Sequence, residues 1–147
     1  MGKDLGRLQM ITIKNSEIQI FINFLNSLKL KGKASRGRSK LIELFDNKLQ
    51  ELQKDIHSIQ LEHFEKDEKG NLKVKENSKL IAKSENDAIQ AQKEMDELYQ
   101  ENAKINVDEY TEKINALYDA LDVYDYELSD TEALVYNEIM ESLENNK

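Results

Sequence analysis

Ile42, Phe45, Leu49, Leu52, Ile56 and Ile59 recur at alternating spacings of three and four residues, and His63 falls next in the series. Only an α-helix gathers such positions onto one side, so the stripe predicts one long helix from Ser35 or Ser39 to about Lys66. The chain contains no proline, and no helix interior in it lacks a backbone N–H. An a/d seam of this kind must be covered, either by another segment of the same chain or by a second copy in a homo-oligomer. The segment Lys66-Asp67-Glu68-Lys69-Gly70-Asn71 predicts the turn that follows, with Gly70 suited to a left-handed position. Leu72 and Val74 suit a small extended piece. Asn77 or Ser78 then opens a second helix to about Asn106, over a thinner face of Ile81, Ala88, Ala91, Met95, Leu98 and Ile105. Two long helices joined by a short polar connection predict an antiparallel hairpin.

The flanks are read the same way. Ile11-Thr12-Ile13 is β-branched and alternating, which suits a short strand. Asn15 or Ser16 caps a helix whose apolar face is Ile18, Phe21, Ile22, Leu25 and Leu28, widened by Ile20 and Phe24. The glycine-containing segment from Lys29 to Arg38 reads as a loop. In the C-terminal part, Val107–Tyr110 and Val123–Tyr126 suit strands, and Ile114, Leu117, Tyr118 and Leu121 suit a short helix. Ser129-Asp130-Thr131-Glu132 has the form of a capping box and predicts a last helix to about Leu143. The expected fold is mainly α, a single domain over residues 11–147: a long antiparallel hairpin, flanking short helices and a minor β pairing near Ile11–Ile13. Residues 1–10 are expected to be a flexible extension. Met10 is the expected natural start, because Gly6-Arg7 just upstream can be encoded by purines alone, as in a ribosome-binding site.

Charge divides the chain. Residues 84–147 hold 18 Asp/Glu against 4 Lys/Arg, whereas residues 1–83 hold 11 against 17. Within the basic part, Lys29, Lys31, Lys33, Arg36, Arg38 and Lys40 form a cluster uninterrupted by an acid. Such a cluster suits a polyanion, through contacts that weaken with salt. It lacks interleaved aromatic residues for base stacking, so the simpler expectation is that it neutralises the chain's own acidic part. The absence of cysteine excludes disulfides, thiolate catalysis and thiolate metal sites. No segment approaches the roughly 20 apolar residues of a bilayer span.

Motifs for chemistry are sparse. Gly32 to Ser39 reads GKASRGRS, a phosphate-binding-loop pattern with Arg38 in place of the lysine. The strands that such a loop needs on either side are missing, so no nucleotide chemistry is expected. His57 and His63 are six apart on one helix and point about 120° away from each other, which is wrong for an i, i+4 zinc pair. His63 is expected at the end of the stripe with one ring nitrogen in solvent. Asp122, Asp125, Glu127 and Asp130 lack the glycine of a calcium loop. Neither a catalytic arrangement nor a cofactor or metal site is expected.

Tyrosine is the more informative residue. Tyr110, Tyr118, Tyr124 and Tyr126 fall within 17 residues of the acidic part. Tyrosine among carboxylates suits protein recognition, since each ring brings large area and one polar tip; the equal alternative is that these rings cap the helical core. The candidate partner surface is Tyr118, Asp122, Tyr124, Asp125, Tyr126, Glu127 and Asp130.

In layout the chain resembles a family of small uncharacterised proteins of phages and prophages of Gram-positive bacteria. The likeness lies in the start Ile11-Thr-Ile-Lys-Asn-Ser-Glu-Ile18, the basic Lys/Gly/Ser/Arg linker, the long helix and the Lys66-Asp-Glu-Lys-Gly70 turn. It continues through a second long helix and the terminal Leu128-Ser-Asp-Thr-Glu-Ala-Leu134, so that it spans Ile11 to Leu143. The resemblance implies phage origin, the host bacterial cytoplasm and an unassigned role, and transfers no functional residue. The expectation is a non-enzymatic protein that binds a phage or host protein. The alternative is an inhibitor of a host defence or nucleic-acid-handling protein, with the acidic surface mimicking nucleic acid. Direct nucleic-acid binding through Lys29–Lys40 is a third reading.

Overall fold

The computed structural model describes residues 10–144, a mainly helical chain with one small antiparallel sheet. In order, these are β1 (Met10–Lys14), α1 (Ile18–Ser27), α2 (Gly32–His63), α3 (Glu85–Gln100), β2 (Asn102–Asn106), α4 (Thr111–Asp122) and α5 (Asp130–Glu144). Single 3-10 turns, Asn15–Glu17 and Asp108–Tyr110, lead into α1 and α4. Residues 1–9, which make up most of the expected extension, lie outside the described residues; Met10 is the first residue of β1. The chain forms two compact units, residues 1–49 with 102–147 and residues 50–101. Helix α2 contributes to both.

The first unit holds the main core. Strands β1 and β2 pair with Ile11 opposite Ile105 and Ile13 opposite Ala103, all four buried. Alternation puts these apolar side chains on one side of the ribbon, where α1 and α5 cover them. Helix α1 buries Ile18, Phe21, Ile22 and Leu25, as its spacing predicts, and Phe24 as well; Ile20 stays half exposed. Phe21 meets Phe45 of α2 at a ring separation of 6.1 Å, and Phe24 meets the edge of Tyr136 at 6.4 Å. From α4, Ile114, Leu117, Tyr118 and Leu121 are all buried, and Ile139, Met140 and Leu143 close the core from α5. The expected capping box at α5 is present: Ser129 Oγ accepts from the Glu132 N–H, and the Glu132 carboxylate accepts from the Ser129 N–H.

In the second unit, Leu52, Ile56 and His63 carry the stripe onward, all buried within the chain itself. The chain then reverses through three very short extended pieces. Bridges join Phe64 with Ala82, Lys66 with Leu72 and Val74 with Leu80, each antiparallel. The Asp67 carboxylate accepts the N–H groups of Lys69 and Asn71 and so shapes the first turn, where Gly70 has φ +85°. Ser84 caps α3 by accepting the Asp87 N–H.

Several boundaries differ from the expectation, each for a local reason. Lys29–Arg38 is no loop: α2 begins at Gly32 and carries Lys33 to Lys40 on its first turns. The second long helix starts at Glu85, because residues 64–83 spend their backbone groups on the small antiparallel ladder. It ends at Gln100, because Asn102–Asn106 pairs with β1. Val107–Tyr110 is no strand, since Asp108–Tyr110 forms a 3-10 turn capped by Val107, and Val123–Tyr126 is an irregular connection, with Tyr124 N–H closing back onto the Leu121 carbonyl.

One carboxylate pair is set against the fold at neutral pH. Glu138 has its carboxyl pushed above the usual range, first by partial burial and then by a hydrogen bond with Glu17. A carboxyl raised in the folded state favours folding only while it keeps its proton, so its contribution is lost as pH rises through the folded value. Glu138→Gln is therefore expected to raise the melting temperature at pH 7 and to leave it unchanged near pH 4. Thermal melts at the two pH values check this.

Candidate functional site

Helix α1 ends at Ser27, and the chain crosses to α2 through Leu28, Lys29, Leu30 and Lys31. Helix α4 ends at Asp122, and the chain crosses to α5 through Val123–Ser129. Both connections belong to the first unit, and they meet. The Lys29 N–H donates to Tyr124 Oη at 3.0 Å, and the Lys29 ammonium lies 4.9 Å above the Tyr126 ring. The two rings stand 5.2 Å apart and tilted. Such a cation over an aromatic face contributes about 0.5–1 kcal/mol at an exposed site. Together with Leu30, Lys31, Ala34, Ala120 and Val123, these residues line an open groove of about 450 Å³.

The sequence therefore names most of this surface, though the structure brings the two candidate sets together in a way spacing could not show. Of the acidic set, Asp122, Asp125, Tyr126, Glu127 and Asp130 are exposed and Tyr124 is half-buried. Tyr118 does not belong with them. It is 1% exposed in the core and donates its hydroxyl proton to Glu144 at 2.7 Å, with burial and that carboxylate pushing its own titration far up. Spacing of apolar neighbours at Ile114, Leu117 and Leu121 carried that signal already. Two large apolar groups stay exposed beside the carboxylates, Val123 at 76% and Tyr126 at 53%.

The basic set divides. Arg38 donates to the Leu28 carbonyl at 2.5 Å and to Ser35 Oγ at 3.1 Å, so it closes the end of α1. Lys40 pairs with Glu43 at 2.8 Å and lies 4.7 Å from the Tyr110 ring. The Glu43 hydrogen bond, more than any other contact, raises the Lys40 ammonium above its ordinary value. Lys29 serves the tyrosines. Lys31, just before α2, and Lys33 and Arg36 on its first turns remain exposed. The glycine pattern from Gly32 to Ser39 is helical rather than a phosphate-wrapping loop, and Gly37 is buried against the backbone of Lys113.

A second cluster lies in the other unit and was not expected. His63, the last residue of α2, is 6% exposed, and neither ring nitrogen is left to solvent. Its Nδ1 lies 2.9 Å from Asp87 and its Nε2 lies 2.5 Å from Glu94, both on α3, with Glu62 3.9 Å from Nε2. The Asp87 hydrogen bond, then Glu94, raises the imidazole above its ordinary value despite burial, and His63 in turn holds the Asp87 carboxyl below its own. The i, i+3/i+4 rule looks only within one helix, so it could not have found partners 24 and 31 residues away.

A model of the family described as "Protein of unknown function (DUF1617)" matches residues 8–147. No curated protein and no solved structure matches the chain. Among the described residues, no helix is long and apolar enough to cross a membrane.

Proposed function

The chain belongs to the DUF1617 family, whose description assigns no role, and we propose from its own surface that it is a non-enzymatic protein acting by binding another protein. The observation that carries this is the pairing of exposed Val123 and Tyr126 with Asp122, Asp125, Glu127 and Asp130 on one connection. Aromatic area ringed by charge is the composition of recognition surfaces, and the carboxylates favour a basic partner. Lys29 holds the Tyr124–Tyr126 pair in place from below, which lowers the entropy lost on binding. The phage or prophage setting and the host bacterial cytoplasm rest on the resemblance in layout, which adds a phage or host protein as the partner. Inhibition of a host defence or nucleic-acid-handling protein is the variant of this reading in which the basic partner surface is a nucleic-acid groove.

The test is affinity capture from phage-infected Gram-positive cells, comparing the wild-type chain with a Tyr126→Ala, Asp125→Asn double variant. The expected outcome is a partner retained by the wild-type chain and lost from the double variant, with retention weakening as salt rises. Equal retention by both would overturn the assigned surface. Displacement of the captured partner by duplex DNA is expected for the mimicry variant, and retention in excess DNA would reject it.

A further inference from the structure

The His63 cluster brings one buried imidazole nitrogen and two carboxylates to a single point of the second unit. Ser84 Oγ donates to Asp87 Oδ2 at 2.9 Å while accepting the Asp87 N–H at 3.0 Å, so the Asp87 carboxylate is fixed from two sides. Its other oxygen meets His63 Nδ1 at 2.9 Å and selects the tautomer with the proton on Nδ1. Nε2 faces the carboxylate of Glu94, with Glu62 beside it, and once deprotonated it presents a lone pair toward the same two carboxylates. At 2.5 Å this contact holds a second ring proton, donated from Nε2 to Glu94, and a metal ion takes the place of that proton only when the two atoms part to metal-ligand spacing. Three carboxylates surround one imidazole, and the C-terminal end of α2 adds further negative potential at the same point.

We propose that Glu62, His63 and Glu94 bind a divalent transition-metal ion, with Asp87 as the positioning residue behind the imidazole. The three ligand atoms lie within 4.8 Å of one another. Zinc ligands at about 2.0–2.2 Å from the ion stand about 3.3 Å apart in a tetrahedron. Glu94 moves out slightly and Glu62 moves in to meet that spacing, and Glu62, being exposed, has the freedom to do so. One nitrogen and two carboxylate oxygens suit Zn²⁺ or Mn²⁺ better than calcium, which takes 6–8 oxygens. Three protein ligands leave a position for water. Bound there, the ion ties the end of α2 to α3 within the second unit, across the 20 residues of the bridged connection between Phe64 and Lys83. This site is independent of the tyrosine-bearing surface and stands or falls separately.

The experiment is calorimetric titration of the chelator-stripped full chain with ZnCl₂ and with MnCl₂, followed by thermal melts with and without each ion. One ion per chain is expected, with a dissociation constant in the micromolar range or tighter and a higher melting temperature. Glu94→Gln and His63→Asn are each expected to weaken binding at least tenfold. Asp87→Asn is expected to weaken it about 10–100-fold, as for other residues that orient a ligating histidine. Glu62→Gln changes an exposed side chain on the same helix and so tests the ligand set without endangering the fold. It is expected to weaken binding tenfold while leaving the metal-free melting temperature unchanged. His57→Asn, exposed on the same helix, is expected to change nothing. Absence of binding of either ion, or binding that survives both Glu62→Gln and Glu94→Gln, would overturn the site. So would binding that follows His57.

Discussion

Replacing Gly37 by alanine is expected to destabilise the protein by about 3 kcal/mol, the upper part of what overpacking costs. An alanine at an ordinary helix interior would act in the opposite direction, stabilising by roughly 0.5–1 kcal/mol over glycine. The sign is decided by what the new methyl group meets. A Cβ at Gly37 would stand 2.2 Å from the Lys113 carbonyl oxygen and 3.2 Å from Leu117 Cβ. The first is backbone of α4 and cannot rotate away, so α2 and α4 must separate and loosen the buried Leu117 and Tyr118 layer. Gly32→Ala is the control. It meets nothing within 4 Å, and its cost comes only from φ +63°, about 1 kcal/mol for a side chain in the left-handed region. Urea denaturation of both variants separates the two causes: a large fall in midpoint for Gly37→Ala and a small one for Gly32→Ala, with unchanged slopes. A Gly37→Ala protein as stable as the wild type would show that α4 does not approach α2 as described.

That glycine also shows where sequence reading succeeds and where it fails. Periodicity exposes contacts repeated along one helix, and it located the stripe from Ile42 to His63 and the apolar face of α1. It also placed Leu117 and Leu121 on one side of α4 and found the Ser129 cap of α5. Two glycines in a basic segment look like a loop because the penalty of glycine in a helix is local and visible, whereas the helix pressed against it is neither. The same blindness applies to β2. Asn102–Asn106 extends only because Met10–Lys14, about 90 residues earlier, offers it a hydrogen-bonding edge. The tyrosine–carboxylate surface was legible from composition, whereas its contact with Lys29 was not. His63 was legible as the end of a stripe, and its three carboxylates were not, because Asp87 and Glu94 look like any acids on an exposed helix.

Tyr118→Ala and Tyr126→Ala are expected to part company completely, although both tyrosines stand in the same acidic stretch. Truncating Tyr118 removes a ring that is 1% exposed among Leu117, Leu121 and Leu143, together with the hydroxyl that donates to Glu144. Loss of a large buried aromatic side chain costs about 3–5 kcal/mol, a large part of the stability of any domain this size. Tyr118→Phe keeps the ring and removes only the hydroxyl, so about 1.5–3 kcal/mol is expected, the worth of a hydrogen bond to a charged acceptor. Tyr126 is 53% exposed and its ring meets the Lys29 ammonium, so its truncation is expected within about 1 kcal/mol of wild type. In partner capture the order reverses in meaning. Tyr126→Ala abolishes retention while the protein still melts near the wild-type temperature. Any loss seen with Tyr118→Ala must follow its unfolding and disappear with Tyr118→Phe. Melting curves recorded on the captured preparations separate a damaged surface from a damaged core. A Tyr118→Phe chain that folds as well as the wild type yet loses its partner would move the recognition surface onto the buried end of α4 and refute the assignment to the connection that follows it.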